Sequence, residues 1–274
     1  MKANYPDFQI IHPTDADLER VFRFMLAWDM AEFGEEDSDL DDLKDLWSEV
    51  DLSTDAWITL GESGQINGYA LFSVTSEERC DLDLYALDEE GSKHAVPQRQ
   101  ALYELGIERF NQAVRQGQFK PEVDLVTYVN GRNTEVCSLC DSLGFRIEKY
   151  HYRMQIDFDG VLPAPEIPEG FALSTYKEED KRELFDLIVT AFDWEGRQFF
   201  DYETWQKNVL RGGRFNPEYF FMLRHQGQLV GAALVYDEES RGWLKELAVA
   251  KEMRGRGLGS LLLQQVFHAF SSKG

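Results

Sequence analysis

Apolar positions along the chain follow two spacings, and each spacing predicts a different kind of element. Alternation over short runs predicts a strand, whereas recurrence at three and four residues predicts the buried face of a helix. In the first half this pattern predicts strands at Phe8–His12, Ala56–Leu60, Ile66–Val74, Cys80–Ala86 and Val123–Val129, and a long strand or bent pair over Phe145–Ile156. It predicts helices from Asp15, where Thr14 is the cap, and over Leu40–Val50, Gln98–Val114 and Thr134–Leu143. Two helices follow the first strand, and the other two follow the fourth and fifth strands. Interleaved strands and helices of this kind predict an α/β protein with mixed sheets.

Residues 159–169 contain three prolines and mark a linker, after which the same order of elements begins again. An offset of 163 residues places Phe8 on Phe171 and Gly68 on Gly231. We therefore predict a tandem duplication, with one domain at 1–158 and a second at 170–274. Each domain is expected to be a mostly antiparallel sheet flanked by helices.

A strand, a glycine-rich loop and a helix follow one another near the end of the chain. The strand covers Trp243–Val249 and the apolar helix covers Leu261–Phe270. The loop between them has glycine at every second position: Gly255, Gly257 and Gly259. Glycine lets a ligand approach the backbone closely, and the first amides of a helix lie at the positive end of its dipole. Such a place binds phosphate, and Arg254 and Arg256 add charge that can pair with phosphate oxygens.

Three glycine-loop patterns were compared with this segment. A P-loop needs a Gly-Lys-Ser/Thr ending, which is absent. The dinucleotide fingerprint needs a third glycine or alanine where Ser260 stands. The third pattern, Arg/Gln-x-x-Gly-x-Gly/Ala after a strand reading Leu-x-Val, is matched at every position by Leu247, Val249, Arg254, Gly257 and Gly259. This segment resembles the acyl-CoA loop of the GNAT (Gcn5-related N-acetyltransferase) superfamily.

The resemblance extends over nearly the whole chain and is nearest to tandem two-domain GNAT proteins of the type similar to mycothiol synthase. It implies direct transfer of an acetyl group from acetyl-CoA, the co-substrate, to an amine of a small molecule or peptide. It also implies that the second domain binds CoA through Leu247, Ala248, Val249, Arg254, Gly255, Arg256, Gly257, Leu258, Gly259 and Ser260.

The two copies differ from the family pattern in opposite ways. In the first copy Gly91, His94 and Val96 stand where the second has Arg254, Gly257 and Gly259, so we expect a degenerate domain without a phosphate loop. In the second copy Gly274 corresponds to Asn111, so we expect it to lack the last strands and helix of the fold. The edge of its fourth strand would then be open, which makes a homodimer through that edge a candidate.

Transfer to an amine needs a group that removes the amine proton, and a carboxylate can do so directly or through water. Glu246 is one candidate because it lies on the strand beside the thioester path. Strict alternation, however, turns Glu246 away from the Leu-x-Val face and puts Trp243 and Lys245 on that face. Asp193 and Glu195 are the other candidates, because the GNAT acceptor pocket is normally built from the helix-linking stretch that contains them.

Composition limits the classes of partner and the cellular locations that we expect for this chain. The net charge of −22 argues against nucleic acid, whose phosphates need a basic surface. No apolar run is long enough to span a membrane and the start does not look like a leader, so we expect no membrane partner and a cytoplasmic location. The three cysteines do not suggest a disulfide framework, and the five histidines show no ligand spacing, so we expect no metal.

Two functions from different classes stay open at this point. The intact loop favours an N-acetyltransferase. The degenerate first copy and the incomplete second copy favour a non-catalytic CoA-binding or scaffold protein with the GNAT fold.

Overall fold

The structure is a computed structural model that describes residues 8–87, 96–119, 122–193, 201–210, 215–238 and 241–273. The chain divides into two compact units, Met1–His151 and Tyr152–Gly274. None of the described helices is both long and apolar enough to cross a membrane.

The first unit contains a sheet of five strands in the order β1-β2-β3-β4-β5. The strands are β1 Gln9–Ile11, β2 Ala56–Leu60, β3 Ile66–Ser76, β4 Arg79–Ala86 and β5 Asp124–Val126. The helices are α1 Leu18–Phe33, α2 Leu40–Ser48, α3 Leu52–Asp55, α4 Val96–Arg115 and α5 Thr134–Ser142. The first four strands are antiparallel, and β5 runs parallel to β4 along Arg79–Asp81.

Short polar side chains set where the first helices begin. The carboxylate of Asp17 accepts hydrogen bonds from the amide and the hydroxyl of Thr14, both at 3.0 Å, in the turn that leads into α1. Asp39 accepts from the amides of Asp41 and Asp42 and caps α2. The acidic stretch before α2 therefore serves helix initiation.

The alternation of β3 sends neighbouring side chains into two separate cores. Tyr69 and Leu71 join a cluster that α1 and α2 cover, whereas Ala70 and Phe72 join a cluster that α4 and α5 cover. All four side chains are at most 1% exposed. A central strand that is apolar on both faces needs helices on both sides of the sheet.

The second unit contains a four-stranded antiparallel sheet in the order β6-β7-β8-β9. Its strands are β6 Phe171–Thr175, β7 Phe220–His225, β8 Gln228–Glu238 and β9 Arg241–Val249, and its helices are α6 Lys181–Ala191, α7 Tyr202–Val209 and α8 Leu258–Lys273. In the described part of this unit β9 pairs only with β8, so the β5 of the first unit has no counterpart here.

The pairing registers show the repeat and also where it shifts. Gly68 pairs with Ala86 and Gly231 pairs with Val249, which is the predicted offset of 163 in both strands. In contrast, Leu71 pairs with Ala56 while Leu234 pairs with Phe220, so β7 matches β2 at an offset of 164. A single offset was therefore wrong for this strand, because the turns that precede β3 and β8 differ in length.

The prediction of a strand or bent pair over Phe145–Ile156 was wrong. This stretch carries no regular secondary structure, and Tyr150, Tyr152 and Met154 are 69%, 82% and 88% exposed. Its alternating pattern suits a strand, but a strand also needs a neighbour that pairs with its backbone groups. No described strand lies in register beside it.

The segment that follows packs on α8 within the second unit. The amide of Leu162 donates to the hydroxyl of Ser271 at 2.9 Å, and the carbonyl of Leu162 lies 2.7 Å from Nδ1 of His268. The rings of Phe158 and Phe267 are 5.5 Å apart. These contacts attach the proline-containing segment to the last helix.

Candidate functional site

The loop between β9 and α8 has the backbone geometry of an anion site. Gly255 and Gly257 have φ of +75° and +76°, and a Cβ on either would meet nothing within 4 Å. Conformation, not crowding, therefore requires glycine at these positions. The amide of Leu261 donates to the carbonyl of Gly257 at 2.9 Å and starts the helical ladder. The amides of the three residues before Leu261 consequently have no acceptor inside the helix.

The neighbouring residues of this loop differ in burial and in the room that their side chains have. Leu258 is 2% exposed and anchors the start of α8 in the core, while Arg256 is exposed. A Cβ on Gly259 would lie 3.9 Å from Cγ2 of Val249, an ordinary contact, so this position admits alanine. The pattern Gly-x-Gly/Ala thus follows from the structure, because only its first glycine has a left-handed φ.

Arg254 reaches the backbone of two other elements. Its Nη2 donates to the carbonyl of Ala191 at 2.5 Å, and its Nε donates to the carbonyl of Val249 at 3.2 Å. Ala191 is the last residue of α6, where a cation is favourable because the helix dipole is negative there. Sequence reasoning expected this guanidinium to meet phosphate and missed its role in holding the loop.

A bulge in β9 decides on which face of the sheet Trp243 lies. Glu246 pairs with Leu234, but the next residue of β8, Val235, pairs with Leu244, so Lys245 is an extra residue. A bulge of one residue reverses the alternation on its far side. The prediction that Trp243 lies on the Leu-x-Val face was therefore wrong, whereas Glu246 lies away from that face as strict alternation predicts.

Two contacts identify the faces of this sheet. Gly231, which pairs with Val249, would place a Cβ 3.0 Å from Cδ1 of Leu262, so the Leu-x-Val face lies under α8. Tyr236, which pairs with Trp243, donates its hydroxyl to the carbonyl of Val209 at the end of α7. Trp243 and, two pairs along, Glu246 therefore lie on the face that α7 covers.

The other two candidate bases are placed differently. Asp193 is exposed just after α6, and its carboxylate lies 3.6 Å from Nζ of Lys251. Glu195 falls outside the described residues, as do Gly91 and His94 of the first unit. Among the residues that the structure describes, no group of three or more His, Cys, Asp or Glu could hold a metal ion.

In the first unit, side chains surround the end of β4, which corresponds to the end of β9 in the second unit. Where β4 and β5 diverge there is a cavity of about 20 Å³, lined by Trp28, Glu32, Leu84, Arg99, Tyr103, Tyr128, Val129, Asn130, Asn133 and Val136. That volume holds about one water molecule. Arg99 donates to the carbonyl of Ala86 at 3.0 Å, at the strand end that matches Val249. Among the described residues, the Arg99 side chain therefore lies at the strand end that matches the end of β9.

The comparisons agree with this geometry. Residues 178–274 match the family model described as Acetyltransferase (GNAT) family. Among curated proteins, no match was found.

Solved structures share the fold over both units. A GCN5-related N-acetyltransferase from Sphaerobacter thermophilus is 24% identical, with a TM-score of 0.75 over 99% of this chain and 85% of that one. A tandem GNAT protein from the clavulanic acid biosynthesis pathway is 14% identical, with a TM-score of 0.61 over 97% of this chain and 86% of that one. A GCN5-related glucosamine N-acetyltransferase region of a fungal multi-domain GH3 β-N-acetylglucosaminidase is 15% identical, with a TM-score of 0.58 over 100% of this chain and 35% of that one.

Proposed function

We propose that this chain, which has the tandem GNAT fold and whose residues 178–274 belong to the GNAT acetyltransferase family, is an acetyl-CoA-dependent N-acyltransferase. The second unit binds the co-substrate and the first supports it. The acceptor is an amine of a small molecule or peptide.

The geometry of the loop before α8 carries this proposal. Two left-handed glycines open to space, Gly255 and Gly257, lead directly to helix amides that have no acceptor inside the helix. Those amides and the exposed Arg256 suit the pyrophosphate of CoA, because the dipole of a 16-residue helix adds positive potential at the same place.

The edge of β9 supports the rest of the co-substrate. In the described part of the chain this strand pairs on one side only, so its outer backbone groups are available to an amide-containing arm that lies along them like an added strand. A β9 amide near Leu247 or Val249, as the family resemblance implies, would donate to the thioester oxygen as negative charge develops there.

Glu246 is the group that we assign to proton removal. It lies on the α7 side of the sheet with Trp243, and there it can take a proton from the attacking amine directly or through water. The amine nitrogen then bonds to the acetyl carbon, the carbon–sulfur bond breaks, and the CoA sulfur leaves as thiolate. The net charge of −22 favours approach of a cationic amine.

A non-catalytic CoA-binding or scaffold protein is the second candidate. The observation in its favour is that, within the described part of the second unit, no strand pairs with β9 in the way that β5 pairs with the start of β4 in the first unit. The same uncovered edge makes a homodimer through β9 a candidate.

Calorimetric titration with acetyl-CoA tests the proposal. We expect the parent chain to bind and Gly257→Asp to bind at least about tenfold more weakly, which corresponds to about 1.4 kcal/mol. Gly227→Asp is the matched control: Gly227 also has a positive φ, of +86°, and open space, but it lies in the turn between β7 and β8. We expect this control to bind like the parent.

Two results would contradict the phosphate loop as the site. One is no heat of binding with the parent, and the other is equal binding by Gly257→Asp and the parent. A screen of amines for CoA thiol release then separates the two functions, since binding without release for every amine selects the non-catalytic protein.

A further inference from the structure

Two cations of the connection between β9 and α8 reach across to the end of α6. Arg254 holds the carbonyl of Ala191 at 2.5 Å, and Lys251 donates to the carbonyl of Asp193 at 3.4 Å. The Lys251 ammonium also lies 3.6 Å from the Asp193 carboxylate. Arg254 in addition holds Val249, the last residue of β9. The phosphate loop is thus attached both to its own strand and to a helix about 60 positions earlier in the chain.

These contacts supply hydrogen-bond donors to carbonyls at the carboxyl end of α6. The last hydrogen bond of α6 runs from the amide of Phe192 to the carbonyl of Ile188, so the carbonyls that follow have no donor inside the helix. A cation at a helix carboxyl end favours the helical state of the last turn by a factor of about two to five. Each of the two side chains therefore adds a modest but measurable resistance to fraying at this end.

Helix α6 packs against α7 through a residue in its first half. The ring of Phe185 on α6 lies 5.3 Å from the rings of both Tyr202 and Trp205 on α7. Helix α7 in turn covers the face that carries Trp243 and Glu246, through the bond from Tyr236 to Val209. Ordering α6 therefore steadies the side from which the amine approaches.

We propose that Arg254 and Lys251 are positioning residues that transmit occupation of the phosphate loop to the carboxyl end of α6. This inference rests on the proposed function, because it needs CoA at the loop. Phosphate bound to the amides at the start of α8 restrains the loop, and the restrained loop holds the two side chains on the α6 carbonyls. Because coupling between sites is reciprocal, an amine that orders α6 tightens CoA binding by the same factor.

Arg256 provides a matched control within the same loop. It is exposed, as Arg254 is, and it lies two residues further along. Replacing Arg256 removes a positive charge near the phosphate without removing either link to α6. A loss of CoA affinity caused by charge alone would therefore be shared by Arg256→Met, whereas a loss of coupling would not.

Hydrogen exchange of the full chain, with and without acetyl-CoA, tests the inference. The variants are Arg254→Met, Lys251→Met and Arg256→Met, each at acetyl-CoA concentrations that saturate the protection of Leu258–Val266. In the parent and Arg256→Met we expect acetyl-CoA to slow exchange in Leu184–Asp193 about two- to fivefold, the size of one charge at a helix end. In Arg254→Met and Lys251→Met we expect Leu258–Val266 to be protected and Leu184–Asp193 to be unchanged.

The outcomes separate this inference from the proposed function. No protection of Leu258–Val266 in the parent contradicts the CoA site itself. Protection there without any change in Leu184–Asp193 overturns the coupling alone, as does a parent-like response of α6 in both Arg254→Met and Lys251→Met. If Arg254→Met and Lys251→Met lose protection of Leu258–Val266 at every concentration, both side chains bind the phosphate directly and the positioning role is overturned.

Discussion

Asp83 in the first unit yields a stability prediction whose sign and size follow from its surroundings. It lies on β4 opposite Leu71, at the position that Glu246 occupies in the second unit. Burial raises the pKa of its carboxyl from 3.8 to about 6, the negative charge of Asp81 acts in the same direction, and Arg79 partly offsets both. The first unit therefore carries a carboxylate that the fold disfavours at neutral pH.

The free energy of unfolding changes with pH as expected for an acid whose pKa is higher in the folded state than in the unfolded state. Below about pH 3 the carboxyl is protonated in both the folded and the unfolded state, so its burial then costs no ionisation free energy. As the pH rises from about 4 to about 6 the unfolded state ionises first, so the free energy of unfolding falls. A shift of about two pKa units corresponds to about 3 kcal/mol, which we reduce to about 2 kcal/mol because the side chain is partly exposed.

The variant Asp83→Asn removes this penalty, and hydrogen exchange of the β3 amides measures it in the first unit specifically. Parent and variant are compared at the same pH, so the intrinsic exchange rate cancels. We expect the ratio of their protection factors to be near one at pH 3 and to reach about 30 in favour of Asn at pH 7. Asp124→Asn, which removes an exposed carboxyl from β5 of the same sheet, controls for the loss of one negative charge.

A ratio that stays the same between pH 3 and pH 7 would refute the reasoning, because the penalty must appear as the carboxyl ionises. A parent more protected than the variant at pH 7 would also refute it, since Asp83 would then have a favourable partner as an anion. An equal pH-dependent gain in Asp124→Asn would assign the effect to net charge.

Two further predictions concern the packing of the first unit. Tyr69→Phe removes the acceptor of the buried Trp47 indole, 2.7 Å away, and we expect it to lower the free energy of unfolding in urea by about 1–3 kcal/mol; an unchanged urea midpoint would contradict this. Gly106→Ala would place a Cβ 2.4 Å from Cδ1 of the fully buried Leu82, so we expect a lower melting temperature despite the better helix propensity of alanine. Leu82→Ala should offset part of that loss in the double variant, and strict additivity would argue against the clash.

Much of the fold could be predicted from the sequence because its signals are local. Thr14 was expected to cap the first helix, and the structure shows it bonded to Asp17 at the start of that helix. The helix over Thr134–Leu143 ends as expected before Gly144, which has a φ of +92°. The glycine pattern of the loop likewise reports a backbone conformation that the loop itself adopts.

The parts that failed depend on neighbours distant in the chain. The bulge at Lys245 arises from how β9 pairs with β8, and no residue type in β9 predicts it. The stretch Phe145–Ile156 alternates like a strand, but no described strand pairs with it. The identity of a polar residue such as Arg254 does not predict which backbone carbonyl its side chain will contact.

The sequence by itself determined the order of the elements, the duplication and the position of the glycine-rich loop, because periodicity, caps and left-handed glycines act within a few residues. Only the tertiary structure decided that Trp243 lies on the same face as Glu246, and which carbonyls Arg254 and Lys251 reach. Both results depend on hydrogen-bond partners that folding brings together from far along the chain. Strand register and the reach of a long cationic side chain are properties of pairs, and a single residue does not encode its partner.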